Sequence, residues 1–269
     1  MERMNHAIKL YFMIIAKEAR RFATYRTNIF AGVLAALFML GARYALWLAL
    51  FATGNAGGTS LEETMTYFVV ADMAMVWLAA SYGGAIGGDI RSGDLAQKLI
   101  RPFSYHFQLV ADYHAGAVTS TLTRSLPVFV VAVIFIGLLP PVSAGAFGAF
   151  VVSALLGGVI FSLIDLSVSY SAFWLTDYWY LPWFRGAIFM IFGGTALPLW
   201  FYPEWLLAVC KALPFQYAIF GPMEIYLGRI ADMEIAATLA MQLFWITLLF
   251  GLERIVWFRA QRKLTVQGG

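Results

Sequence analysis

Four charged residues, Arg43, Asp72, Arg124 and Asp165, stand within or near long apolar runs of the chain. A charge at the centre of a bilayer costs at least about 2.5–3.5 kcal/mol on insertion scales, so such residues pair with one another or line a wet cavity. Two readings follow. Either the charges form structural ion pairs, with Arg43 snorkelling outward, or they mark a candidate translocation path. Their scatter shows no proton-relay pattern. A second group is a charged island at 87–102, set between apolar spans. There Asp89, Ile90, Arg91, Ser92, Gly93 and Asp94 combine charge, a turn glycine and an apolar residue. Leu95, Leu99 and Ile100 then return at helical spacing. Such a segment is either a plain solvated loop or a short helix suited to docking in a partner's cleft.

Other chemistries lack their residues. His6, His106 and His114 fall in no ligand-spaced cluster, so no metal is expected. There is no G-x-x-x-x-G-K-[ST] phosphate loop and no G-x-S-x-G elbow. Asp89 and Asp94 lack the Asp-rich magnesium motifs expected of membrane prenyl transferases. The sequence therefore offers no catalytic residue, and the chain is expected to be neither an enzyme nor a holder of a cofactor. Cys210 is the one cysteine, which excludes an intrachain disulfide.

The elements that must position these residues are membrane helices. The chain is 61% hydrophobic with mean hydropathy +0.76 and only 12% charged, against about 25% charged for soluble domains. Several apolar runs reach the ~20 residues that cross a bilayer. They are continuous rather than alternating, which disfavours a β-barrel. The expected fold is all-α and polytopic, one transmembrane domain over 1–269. Six spans are read at 28–52, 64–86, 120–139, 144–170, 183–200 and 235–258. A basic amphipathic helix at 5–25 precedes them and reads as interfacial. A secretory signal is not expected, because the first apolar run begins only after Arg26 and is too long for one. Pro140 and Pro141 end the third span. Gly83/Gly87 and Gly84/Gly88 form two overlapping G-x-x-x-G pairs, which read as close helix packing. Between spans five and six, Pro203, Pro214 and Pro222 break 201–232 into pieces too short to cross. These read as interfacial or re-entrant helices on the external side.

Basic residues set the orientation. Arg3, Lys9, Lys17, Arg20, Arg21 and Arg26 precede the first span, Arg91, Lys98 and Arg101 lie in the island, and Arg254, Arg259, Arg262 and Lys263 lie at the tail. The opposite side has Lys211 and Arg229. Both termini and the island are therefore expected in the cytoplasm. The net charge of +3 fits basic inner loops and does not point to nucleic acid.

In its order of parts the chain resembles the type-2 ABC transporter permeases. Asp89-Ile90-Arg91-Ser92-Gly93-Asp94-Leu95-Ala96 through Leu99-Ile100-Arg101-Pro102 resembles the family's acidic-Ile-Arg-x-Gly…Leu-x-Arg-Pro inner loop. Pro198-Leu199-Trp200-Phe201-Tyr202-Pro203-Glu204-Trp205, then Leu213-Pro214-Phe215 and Gly221-Pro222, resembles its proline-rich external segment. Gln97 and Lys98 depart from the pattern, standing where apolar or aromatic residues are more usual. The resemblance implies that 88–104, through Asp89, Ile90, Arg91, Ser92, Gly93, Asp94 and Leu95, is a coupling helix docking on a separate ABC ATPase subunit. It implies that Pro203, Glu204, Pro214 and Pro222 belong to external re-entrant helices. It further implies that ATP and magnesium reside in the partner ATPase, that a second permease, identical or related, completes the pore, and that the home is the bacterial inner membrane. The 17% aromatic content and scarce charge point to an amphipathic or lipid-like cargo, or a peptide or drug. Two rival readings remain: a lipid-modifying intramembrane enzyme, and an ATP-independent secondary carrier driven by a gradient.

Overall fold

Continuous apolar sequence forms helices here because lipid offers no partner for an unpaired backbone group, and a helix satisfies each one internally. A computed structural model describes residues 26–54, 58–78, 82–100, 105–175 and 177–263. All regular structure among them is helical. The expected amphipathic helix at 5–25 and the island residues Arg101 and Pro102 lie outside the described residues.

The chain divides into two compact units, Met1–Ala80 with His106–Pro140, and Ser81–Tyr105 with Pro141–Gly269. In the first, α1 (Arg26–Ala52) and α2 (Leu61–Leu78) pack with a long helical run. That run comprises α5 (Tyr105–Ser120), a π-helical turn at Thr121–Ser125, and α6 (Leu126–Ile136). Trp47 of α1 packs on Phe68 of α2, with ring centroids 5.7 Å apart. Phe30, Phe38, Leu46, Ile134 and Phe135 point outward, as helices that meet hydrocarbon require. Gly137 stops α6 in the left-handed conformation (φ 77°), three residues before the prolines expected to do so. The Leu139 N–H then donates to the Thr66 hydroxyl at 2.9 Å, tying the exit of α6 to α2.

In the second unit, α3 (Tyr82–Ser92) and α4 (Asp94–Leu99) precede the central α7 (Ala144–Ser169). Ser143 caps α7 by accepting the Ala146 N–H at 3.0 Å. Then come α8 (Leu181–Phe192), α9 (Glu204–Lys211), α10 (Phe215–Ala218), α11 (Phe220–Tyr226) and α12 (Asp232–Gln261). Helices α3, α8, α10, α11 and α12 all pack on α7. The backbone of α10 comes so close that a Cβ at Gly157 would sit 2.5 Å from the Ala218 carbonyl oxygen. The Gln242 side chain, wholly buried on α12, accepts the Ser153 hydroxyl and donates to the Ser153 and Tyr217 carbonyls at 2.9 and 2.7 Å. Cys210, also wholly buried, closes α9.

Among the described residues, four helical runs are long and apolar enough to cross a membrane: Ile29–Ala52, Tyr105–Phe135, Ala144–Phe173 and Asp232–Gln261. The sequence led us to expect six spans, and the one at 183–200 differs. The run at 64–86 covers α2 and the start of α3, between which 79–81 lie outside the described residues. The run at 183–200 holds only the 12-residue α8, about 18 Å long at 1.5 Å per residue. Gly193 and a left-handed Gly194 (φ 80°) end it, and Pro198 follows. At 201–232 the chain forms three helices of 8, 4 and 7 residues, each too short to cross.

Candidate functional site

The island folds as an elbow. Helix α3 runs on past the expected end of its span to Ser92. Gly93 turns the chain at φ 79°, a conformation that side chains disfavour, and α4 begins at once. The Ser92 hydroxyl donates to Asp94 Oδ2 at 2.8 Å, bracing the turn. Asp89 holds the elbow from inside. Its buried carboxylate accepts Lys98 Nζ of α4 at 2.6 Å on one oxygen and the Tyr105 hydroxyl of α5 at 2.8 Å on the other. Charge-assisted bonds of this kind contribute about 1.5–3 kcal/mol each. Lys98, the departure from the family pattern, is therefore used internally.

From Tyr105 the contacts run on into the unit. Its ring stacks on Trp257 at 6.0 Å, Trp257 meets Tyr170 at 5.0 Å, and the Tyr170 hydroxyl donates to the buried Glu253 at 3.1 Å. Leu95 is 2% exposed and anchors α4. The outward surface is left to Arg91, Ser92, Asp94 and Ile100, with Ile100 85% exposed and Ile90 half-buried. Arg91 reaches over the Tyr178 ring at 5.3 Å and lies 3.9 Å from Asp177. Of the G-x-x-x-G glycines, Gly87 packs face-on against the Tyr178 ring, where a Cβ would collide, whereas Gly84 and Gly88 face open space.

Three of the four expected intramembrane charges come together in the first unit. A cavity of about 340 Å³ is lined by Arg43, Asp72 and Arg124 among apolar side chains that include Leu40, Val69 and Phe129. Arg43 Nη1 donates to Asp72 Oδ2 at 2.7 Å and its guanidinium lies 4.6 Å from the Phe68 ring centroid. Arg124 stands on the π-helical turn, where the Leu126 N–H bonds the Thr121 carbonyl five residues back. Asp165, the fourth, belongs to the second unit and has its own partners. Its carboxylate pairs with Arg185 of α8 and accepts the Tyr82 N–H at 2.8 Å, so it also satisfies the first turn of α3. Arg185 and Asp165 are both buried, and the guanidinium lies over Phe161 at 5.1 Å.

In the external segment, Pro203 sits at the N-cap of α9, Glu204 opens that helix, Pro214 precedes α10 and Pro222 lies in the first turn of α11. Arg229 lies over the Trp200 ring at 3.9 Å. Burial pushes the Glu224 carboxyl of α11 up to about 7, with Lys211 and Arg229 pulling it down and Glu234 pushing it up.

Sequence reasoning passed over Arg185, Gln242, Glu253 and Glu224. One signal was present for two of them. Gln242 and Glu253 lie eleven residues apart, about three helical turns, and so share one stripe of α12 with the buried Leu249 and Trp257. Among the described residues no group of His, Cys, Asp and Glu could hold a metal ion.

No curated protein and no solved structure matches the chain significantly. A family model described as ABC-2 family transporter protein matches residues 37–268. That stretch includes the elbow, the charged cavity and all four membrane-length helices except the start of the first. The chain is therefore a multi-pass membrane protein that belongs to the ABC-2 transporter family, a type-2 ABC transporter permease.

Proposed function

We propose that the chain is the single-domain permease subunit of an ATP-driven exporter in the bacterial cytoplasmic membrane. Two permeases, identical or related, pair with two ABC ATPase subunits that carry ATP and magnesium. Both termini and the α3–α4 elbow face the cytoplasm, and the short helices at 201–232 cap the opposite side. The ATPase dimer closes on nucleotide and pushes the elbows. The permease pair then exchanges inward-open and outward-open states, driven by the different stabilities that nucleotide gives them. The cavity at Arg43, Asp72 and Arg124 lies on the path of an amphipathic cargo.

The observation that carries this reading is the elbow itself. A loop with no task would leave its charges to water. Here Asp89 ties α3 to α4 through Lys98 and holds the Tyr105 hydroxyl, while Arg91, Ser92 and Ile100 keep exposed side chains on the outer side. A braced elbow with an exposed tip suits the transfer of force. The rival enzyme reading gains nothing from this geometry, and the carrier reading loses Asp165 to a closed ion pair.

The test is co-purification with the ATPase and ATP-dependent transport in lipid vesicles. Joint replacement of Arg91, Ser92 and Ile100 by alanine should abolish ATPase association and transport while the permease still folds, because none of the three is buried. Leu95 is unsuited to this test, since its loss would unseat α4. Undiminished association and transport in the triple variant would overturn the coupling role.

A further inference from the structure

Arg124 brings to the cavity a charge that the cavity does not neutralise. Arg43 and Asp72 cancel one another across 2.7 Å. Arg124 senses the Asp72 carboxylate through space but makes no hydrogen bond or ion pair among the described residues. Two arginines against one aspartate leave the lining with a net charge of +1.

The depth of these charges makes the surplus costly. Arg43 lies nine residues before Ala52, Asp72 eleven after Leu61, and Arg124 twelve before Ile136. At 1.5 Å per residue these are about 14–18 Å from the respective helix ends, which is mid-depth in a hydrocarbon layer ~30 Å thick. A cation is held there only if something offsets its cost. The local backbone is also unusual. π-Helical turns inside α-helices are rare and recur at functional sites, and this one carries Arg124. The remaining walls, with Leu40, Val69, Val128 and Phe129, would accept hydrocarbon. A volume of about 340 Å³ is at the small end of ligand sites.

We propose that this cavity binds the anionic head, phosphate or carboxylate, of an amphiphile. Arg124 supplies the binding charge, the Arg43–Asp72 pair supplies a fixed polar wall, and the apolar side chains receive the start of the tail. As a statement about cargo, this rests on the export reading above. The binding itself does not.

The experiment uses the full chain in phosphatidylcholine nanodiscs, without ATPase or nucleotide, so that failure of coupling cannot affect it. Dodecyl phosphate is the probe and dodecyltrimethylammonium its cationic counterpart. Dodecyl phosphate should bind about tenfold more tightly or better, as one charge-assisted contact would give. Arg124→Gln should remove most of that preference and Arg124→Lys should retain it. The lysine variant also shows that replacement at 124 leaves the fold intact. Equal binding of the two probes, or an unchanged preference in Arg124→Gln, would overturn the proposal. Phosphatidylglycerol added to the discs then separates two sources of the same head chemistry. Competition points to a bilayer lipid, and its absence to a single-chain solute; either supports anionic recognition.

Discussion

At the scale of single residues, the two aspartates first read as alike have different surroundings. Asp72 keeps its partner at the edge of a cavity, whereas Asp165 is sealed between Arg185 and the start of α3. Breaking a buried pair leaves one charge uncompensated and costs about 3–5 kcal/mol. Asp165→Asn should therefore lower the melting temperature of the detergent-solubilised protein sharply, and adding Arg185→Met should recover much of the loss. If the double variant were as unstable as the single one, the pair would not be the cause. Glu224 makes a prediction of the opposite electrical kind. Burial raises its carboxyl from 4.5 to about 7, so the folded protein favours the protonated form. The stability this confers is complete below about 4.5 and is lost as pH rises through about 7. Glu224→Gln, which stays neutral, should melt at a nearly constant temperature across that window while the parent declines. The gap should approach the order of 3 kcal/mol once the acid is ionised. Parallel pH profiles for the two proteins would show that Glu224 is not the group responsible.

At the scale of elements, what could be read from the sequence depended on how local the cause was. The long helices α1, α7 and α12 follow from uninterrupted apolar runs, and their expected boundaries at 28–52, 144–170 and 235–258 fall within a few residues of Arg26–Ala52, Ala144–Ser169 and Asp232–Gln261. The third span was expected at 120–139, whereas Tyr105 to Ile136 is one helical run interrupted only by the π turn. No residue type announces a π turn, because it records how the helix meets its neighbours. The anchoring of α3 has a non-local cause as well. The carboxylate that satisfies its first N–H comes from Asp165, 83 positions along the chain. Gly157 was equally mute, since only the approach of the Ala218 carbonyl explains why that position has no side chain. Within the candidate sites, the charges were legible by their rarity in apolar sequence. Their grouping, three into one cavity and the fourth with Arg185, was set by tertiary packing that spacing does not encode.

At the scale of the whole molecule, each unit shows an outer surface of large apolar side chains, from Phe30 and Phe135 in one to Leu155 and Phe244 in the other. That surface needs lipid, and four membrane-length helices are there to meet it. Labelling reads the direction in which the chain is threaded, and the seclusion of Cys210 has a practical consequence for it. The sole thiol of the protein is wholly buried, and burial also pushes its ionisation up, which lowers its reactivity further. The natural sequence thus behaves toward maleimides as a cysteine-free background. A single cysteine placed at Ile100, on the tip of the elbow, or at Met233, in the first turn of α12, would be the lone reactive thiol. In sealed vesicles an impermeant maleimide should modify one of these two and spare the other. Modification of the parent protein at Cys210 under native conditions would contradict the burial on which the method depends.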